Sequence, residues 1–122
     1  MKFDQDTAGG SNVFTGYGEG YVVVGGRRIT RSVIVTGDRI DEWDVPSVAA
    51  LDAAGAARLL ELKPEIVLLG SGTRFAFPEP AALAPLYAAR IGVEVMDTRA
   101  ACRTFNILSG EGRNVVAALI VD

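Results

Sequence analysis

The chain has 122 residues, 49% of them hydrophobic and 22% charged, with a net charge of −3 at pH 7. That is the composition of a soluble globular protein, and it excludes the clustered basic footprint of a nucleic-acid binder. One cysteine and no histidine exclude an intrachain disulfide, Ser-His-Asp and Cys-His catalysis, and metal sites built on imidazole or several thiolates.

A chain of this length predicts one domain over residues 1–122, with 1–12 only loosely ordered. Val13 to Gly18 reads as a first strand. Tyr21 to Val24 and Arg27 to Thr36 are β-rich runs meeting at Gly25-Gly26, a pair that tolerates the positive φ of a tight hairpin turn. In the second run Ile29, Arg31, Val33 and Val35 share one face, and Arg28, Thr30, Ser32, Ile34 and Thr36 the other, more polar one. Ile40 to Val45 is extended, with Trp43 as an apolar anchor, and Pro46 disfavours helix at Val45. A helix follows between Ser47 and Leu62, capped by Asp52, and Pro64 stops it.

Glu65 to Leu69 is a short, nearly continuous apolar strand, the pattern of a parallel strand buried on both faces. Gly70 to Pro80 is a loop. A helix runs from about Pro80 to Arg90, with Gly92 at its end, and Val93 to Met96 is the next strand. Asp97-Thr98 starts a helix that reaches Leu108, closed by Gly110 or Gly112, and Arg113 to Val121 is the last strand. The second half is thus β-α-β-α-β, a unit that makes parallel pairs with right-handed crossovers. The fold class expected is α/β with α+β character: three layers, a mixed central sheet flanked by helices, and an N-terminal antiparallel hairpin layer. No apolar run approaches the ~18 residues of a membrane span, and no secretory signal is visible at the N-terminus. The expected location is the cytoplasm.

Three blocks carry a family resemblance: Lys63 to Thr73, Gly92 to Thr98 and Ala100 to Leu108, supported by Ser32 to Thr36 and Trp43. From about Val13 onward the chain resembles a small single-domain family that includes a mitochondrial respiratory complex I assembly factor and an adipogenesis-associated protein. Its bacterial branch is mostly uncharacterised. The resemblance implies a three-layer fold around a mixed sheet and, for function, assistance to enzyme assembly. It carries over no catalytic residue.

Chemistry-bearing residues gather at two places. Gly70, Ser71, Gly72, Thr73 and Arg74 follow a buried strand, as anion-cradling loops do, yet Phe75 stands where a dinucleotide fingerprint needs its third glycine. Asp97, Thr98 and Arg99 form the turn after the next strand. If the two strands are neighbours, both loops open at one carboxyl end of the sheet, where α/β folds place their crevices. Arg99 and Arg103 are four apart, with Asn106 three further on, so they share one polar stripe of the helix. Each arginine then calls for an acidic neighbour. Glu94, between Val93 and Val95 in a strand expected to be interior, is the candidate for a structural ion pair. Cys102 lies near the helix N-terminus between two arginines, a setting that lowers a thiol pKa when the thiol is open to solvent. Asp38, Asp41, Glu42 and Asp44 form an acidic patch whose spacing lacks a calcium-loop pattern.

No cofactor and no metal are expected. The first reading of function is a non-enzymatic protein-interaction or assembly-type domain that meets a protein partner, or a second copy of itself, at the crevice of Gly70–Arg74 and Asp97–Arg103. The rival is an anion-binding domain or small enzyme in which Arg74, Arg99 and Arg103 hold phosphate or carboxylate.

Overall fold

Residues 12–122 are described in a computed structural model of the chain. Phe14–Gly18 (β1), Tyr21–Val24 (β2) and Arg27–Ile29 (β3) make an antiparallel sheet in that order. Gly25 and Gly26 both have positive φ, 57° and 88°, as a two-residue hairpin turn of the right twist requires. Val33–Val35 (β4), Ile40–Glu42 (β5), Ile66–Gly70 (β6), Gly92–Met96 (β7) and Val115–Leu119 (β8) form a second, mixed sheet in the order β5-β4-β8-β6-β7. In it β6 runs parallel to β7 and β8, while β4 runs antiparallel to β8 and β5.

The helices are Ala53–Ala57 (α1), Pro80–Ala88 (α2) and Thr98–Gly110 (α3). Alternation along the strands divides the core in two. Ile34, Val67, Leu69, Val116 and Ala118 face Leu59, Leu83 and Leu86 on the side of α1 and α2. Val33, Val35, Leu68, Ala117 and Leu119 face Ala101, Cys102 and Phe105 of α3, together with Phe14, Val22 and Val24 of the hairpin sheet. Phe14 and Phe105 meet edge to face, with ring centres 5.4 Å apart, an arrangement worth about 0.5–1.5 kcal/mol beyond burial alone. The central strand β8 is buried at all five positions, which is why its sequence is apolar without alternation. The mixed sheet, the hairpin layer and the flanking helices are the architecture expected.

Three local expectations are corrected. The run Arg27 to Thr36 is not one strand: β3 ends at Ile29 and β4 begins at Val33 in the other sheet. Val33, Ile34 and Val35 need a packed layer on both faces, whereas Arg27 and Arg28 are exposed. One straight strand cannot provide both environments. The helix after Ser47 is also shorter than its span suggested. Asp52 does cap it, accepting from Gly55 N at 2.9 Å, but α1 gives way to a 3-10 turn over Arg58–Leu62. Finally, α2 is closed by Arg90 at φ 61° rather than by Gly92. Ile91 N donates to Leu86 O and Arg90 N to Tyr87 O, the paired bonds of a Schellman ending. Ile91 packs on the same core cluster as Leu86, and that contact offsets the cost of the left-handed arginine. The expectation of loose order over 1–12 lies outside the described residues except at Asn12. There the side-chain amide donates to Thr36 O and Arg39 O.

Candidate functional site

β6 and β7 are neighbours, so the loops after them do meet at the carboxyl end of the sheet. The structure brings Gly70, Ser71, Gly72, Thr73, Asp97 and Thr98 together, and it zips them shut. Ser71 N donates to Met96 O at 2.8 Å, and Thr98 N to Gly72 O at 3.0 Å. The buried Thr98 hydroxyl accepts from Gly72 N at 2.8 Å and donates to Ile120 O at 2.7 Å. Gly70 has no room for a side chain: a Cβ there would lie 2.8 Å from both Leu119 Cδ2 and Thr98 Oγ1. At Gly72, φ is 108° and a Cβ would strike the Asp122 carboxylate at 2.6 Å.

The amides that an anion would use are already engaged by carboxylates of the chain. Asp122 Oδ1 accepts from Thr73 N at 3.0 Å and from the Thr73 hydroxyl at 3.3 Å. Asp97, the N-cap of α3, accepts from Ala100 N at 2.9 Å. The depression left between Tyr21, Gly72, Thr98, Arg99 and Asp122 has a volume of about 10 Å³, space for about one water.

The loop continues into a rigid exposed corner. The Ser71 hydroxyl donates to Arg74 O at 2.7 Å and accepts from Ala76 N at 3.2 Å. These bonds hold up Phe75 and Phe77, whose rings stack edge to face at 4.9 Å while 54% and 71% exposed. In the sequence Phe75 stood out only as a break in a dinucleotide fingerprint, and Phe77 not at all. Their one signal there is that aromatic residues in a Gly- and Pro-bounded loop have no periodic core position to fill.

The remaining residues of α3 point elsewhere. Cys102 faces the α3 core and is 1% exposed. Burial pushes its thiol up to about 12, against the lowering effect of Arg103 and with a small further rise from Asp97. It is therefore a protonated core side chain, with no thiolate for nucleophilic or redox work. Arg103 lies on the surface and reaches β1: Nη1 donates to the Tyr17 hydroxyl at 2.8 Å, and its guanidinium stands 5.8 Å from the ring centre. That hydrogen bond is the main cause of an Arg103 pKa above its ordinary value. Asn106 binds the backbone of Phe14 at both N and O. Arg74 and Arg99 are exposed.

Glu94 is not in an interior strand. β7 is the outer strand of its sheet, Glu94 is exposed, and among the described residues it forms no ion pair. Water hydrates a carboxylate at an edge, so no arginine is required there. In the acidic patch, Asp41 pairs with Arg39 at 3.0 Å and Glu42 with Arg31 at 3.8 Å. Among the described residues no group of acidic side chains and cysteine is placed to hold a metal, and no helix is long and apolar enough to cross a membrane.

Residues 14–120 match the family described as "Protein of unknown function (DUF498/DUF598)". The Bos taurus "NADH dehydrogenase [ubiquinone] 1 alpha subcomplex assembly factor 3" is 36% identical over 100 residues, 80% of this chain and 54% of the bovine protein. The chain thus spans about half the length of that curated relative. A crystal structure of a Bordetella parapertussis protein superposes with a TM-score of 0.88 at 38% identity, covering 95% of this chain and 100% of that one. The solution structure of a Bordetella pertussis protein, described as an Mth938-like domain, gives 0.79 at 33% identity, covering 100% and 93%.

Proposed function

The chain belongs to the DUF498/DUF598 family, and from that membership we propose that it is a non-enzymatic, assembly-factor-like domain that binds subunits of an NADH dehydrogenase. The observation that carries this reading is the 36% identity to an assembly factor of that enzyme over four-fifths of the chain. The site geometry supports it. The corner that could have held a small ligand is filled by Thr98 and Asp122, and the thiol is buried and protonated.

What remains accessible is a protein-contact surface. Arg74, Arg99 and Arg103 supply its charge, and Phe75 and Phe77 its apolar anchors; aromatic and arginine side chains dominate the binding energy of protein interfaces. Gly70, Ser71, Gly72, Thr98 and Cys102 act behind it by holding the corner in shape, while Thr73 and Asp97 stand at its rim. The working location is the cytoplasm, where a lone unpaired thiol needs no oxidising compartment.

The test is tagged isolation from the source cell, paired with native electrophoresis of membranes from a strain lacking the gene. NADH dehydrogenase subunits co-isolate with the chain, and the strain without it accumulates partly assembled enzyme. Full assembly in that strain, with no subunit recovered on the tag, rejects the proposal. Thermal stabilisation by phosphate, lost in Arg99→Ala, would instead support an anion site.

A further inference from the structure

β1 is an outer strand of the hairpin sheet and runs beside α3. Between them lies a groove of about 360 Å³, lined by Gly16, Tyr17, Cys102 and Arg103, within the size range of ligand pockets. Asn106 lines it as well. Its Nδ2 donates to Phe14 O and its Oδ1 accepts from Phe14 N, each at 2.8 Å. Those are the two main-chain bonds that a residue of a neighbouring antiparallel strand would make with Phe14. A side chain stands in for the first residue of a strand that, among the described residues, is not supplied.

Beyond the irregularity between Phe14 and Gly16, β1 pairs regularly with β2 as far as Gly18 opposite Tyr21. Gly18 and Tyr21 flank a two-residue turn, so they form a hydrogen-bonded pair, and Tyr17 turns its N–H and C=O away from β2. Arg103 lines the same groove. Tyr17 takes one of its donors, which leaves the rest of a five-donor guanidinium fork for another acceptor. Arg99 follows the same helix stripe one turn earlier. Among the described residues no carboxylate forms an ion pair with either arginine, and Asp97, the nearby acid, is engaged as the cap of α3. A main-chain edge and a held cation thus border one groove.

We infer that the β1 edge accepts an added strand: an extended, acidic peptide segment of a partner protein pairs its backbone with Tyr17 while one carboxylate takes the outer donors of Arg103. This is strand addition, in which main-chain bonds supply affinity and the side chain supplies specificity. It rests on the reading of the chain as a protein-binding domain and names the chemistry of what it binds.

Fluorescence anisotropy tests it with a labelled six-residue peptide alternating valine and glutamate. That peptide binds, and two controls bind at least about tenfold more weakly: its counterpart with lysine for glutamate, and the acidic peptide N-methylated at alternate amides. Arg103→Glu, at an exposed position and shown by a cooperative melting curve to be folded, reverses the preference toward the lysine peptide. Equal binding of the acidic and lysine peptides, indifference to N-methylation, or unchanged preference in Arg103→Glu overturns the inference. If NADH dehydrogenase subunits still co-isolate while the peptides show no discrimination, the strand-addition site falls and the assembly reading stands. Peptide discrimination without those subunits means the reverse.

Discussion

Cys102 shows how far a residue's neighbours in sequence can mislead. Two arginines and a helix N-terminus favour a thiolate, but burial opposes it and wins, since the thiol is pushed up to about 12 from an ordinary 9.0. The consequence for stability has a definite sign. Between those two values the unfolded chain has lost the thiol proton and the folded chain keeps it. The unfolded state then binds fewer protons, and stability falls as pH rises, by up to about 1.4 kcal/mol per pH unit. Below the lower value the contribution is fully present. Urea denaturation of the wild type and of Cys102→Ala, at about pH 8 and about pH 10, checks this: the wild type loses more stability between the two than the variant does. Equal losses would assign the effect to other groups. Thr98 makes the complementary point. Its hydroxyl, read as part of an open turn, is a buried bridge from Gly72 N to Ile120 O, and it closes the crevice that its position suggested.

At the scale of elements, α3 joins the two sheets. Phe105 packs on Phe14, and Asn106, one residue on, holds the Phe14 backbone at both polar groups. The apolar contact sets the distance, and the carboxamide sets the register of β1 against the helix. Asn106→Ala removes two hydrogen bonds and leaves Phe14 N and O short of partners in a half-buried position, at a cost of about 1–3 kcal/mol. Urea denaturation measures that loss. Amide exchange then distinguishes a local effect, because Phe14 exchanges faster while the amides of the central strand β8 keep their relative protection. Uniform acceleration across both sheets would show that Asn106 acts on global stability alone.

For the whole molecule, the proposed contact surface at the exposed aromatic patch predicts that folding and partner binding can be separated. Phe75 and Phe77 are 54% and 71% exposed and contribute little to the core, so replacing both by serine changes stability by no more than about 0.5 kcal/mol. The same double variant loses recovery of NADH dehydrogenase subunits in tagged isolation. Melting curves and subunit recovery from one preparation check both halves. A variant that recovers subunits in full would move the contact surface away from this loop.

The apolar patterns determined much of this protein by themselves. Continuous apolar runs at Ile66–Gly70 and Val115–Leu119, short and bounded by breakers, read as strands covered on both faces, and Asp52 and Asp97 marked their helix starts because a short carboxylate side chain is what the free amides there require. Tertiary structure decided the rest, since it turned on which residues meet across long separations. Arg27 to Thr36 divided between two sheets, Glu94 fell on an outer strand, and Asp122 came to the amide of Thr73. No local pattern encodes those meetings. Whether a loop of glycines, a threonine and an aspartate is an open anion cradle or a closed knot depends on what a residue distant in sequence places against it, and here Asp122 places a carboxylate.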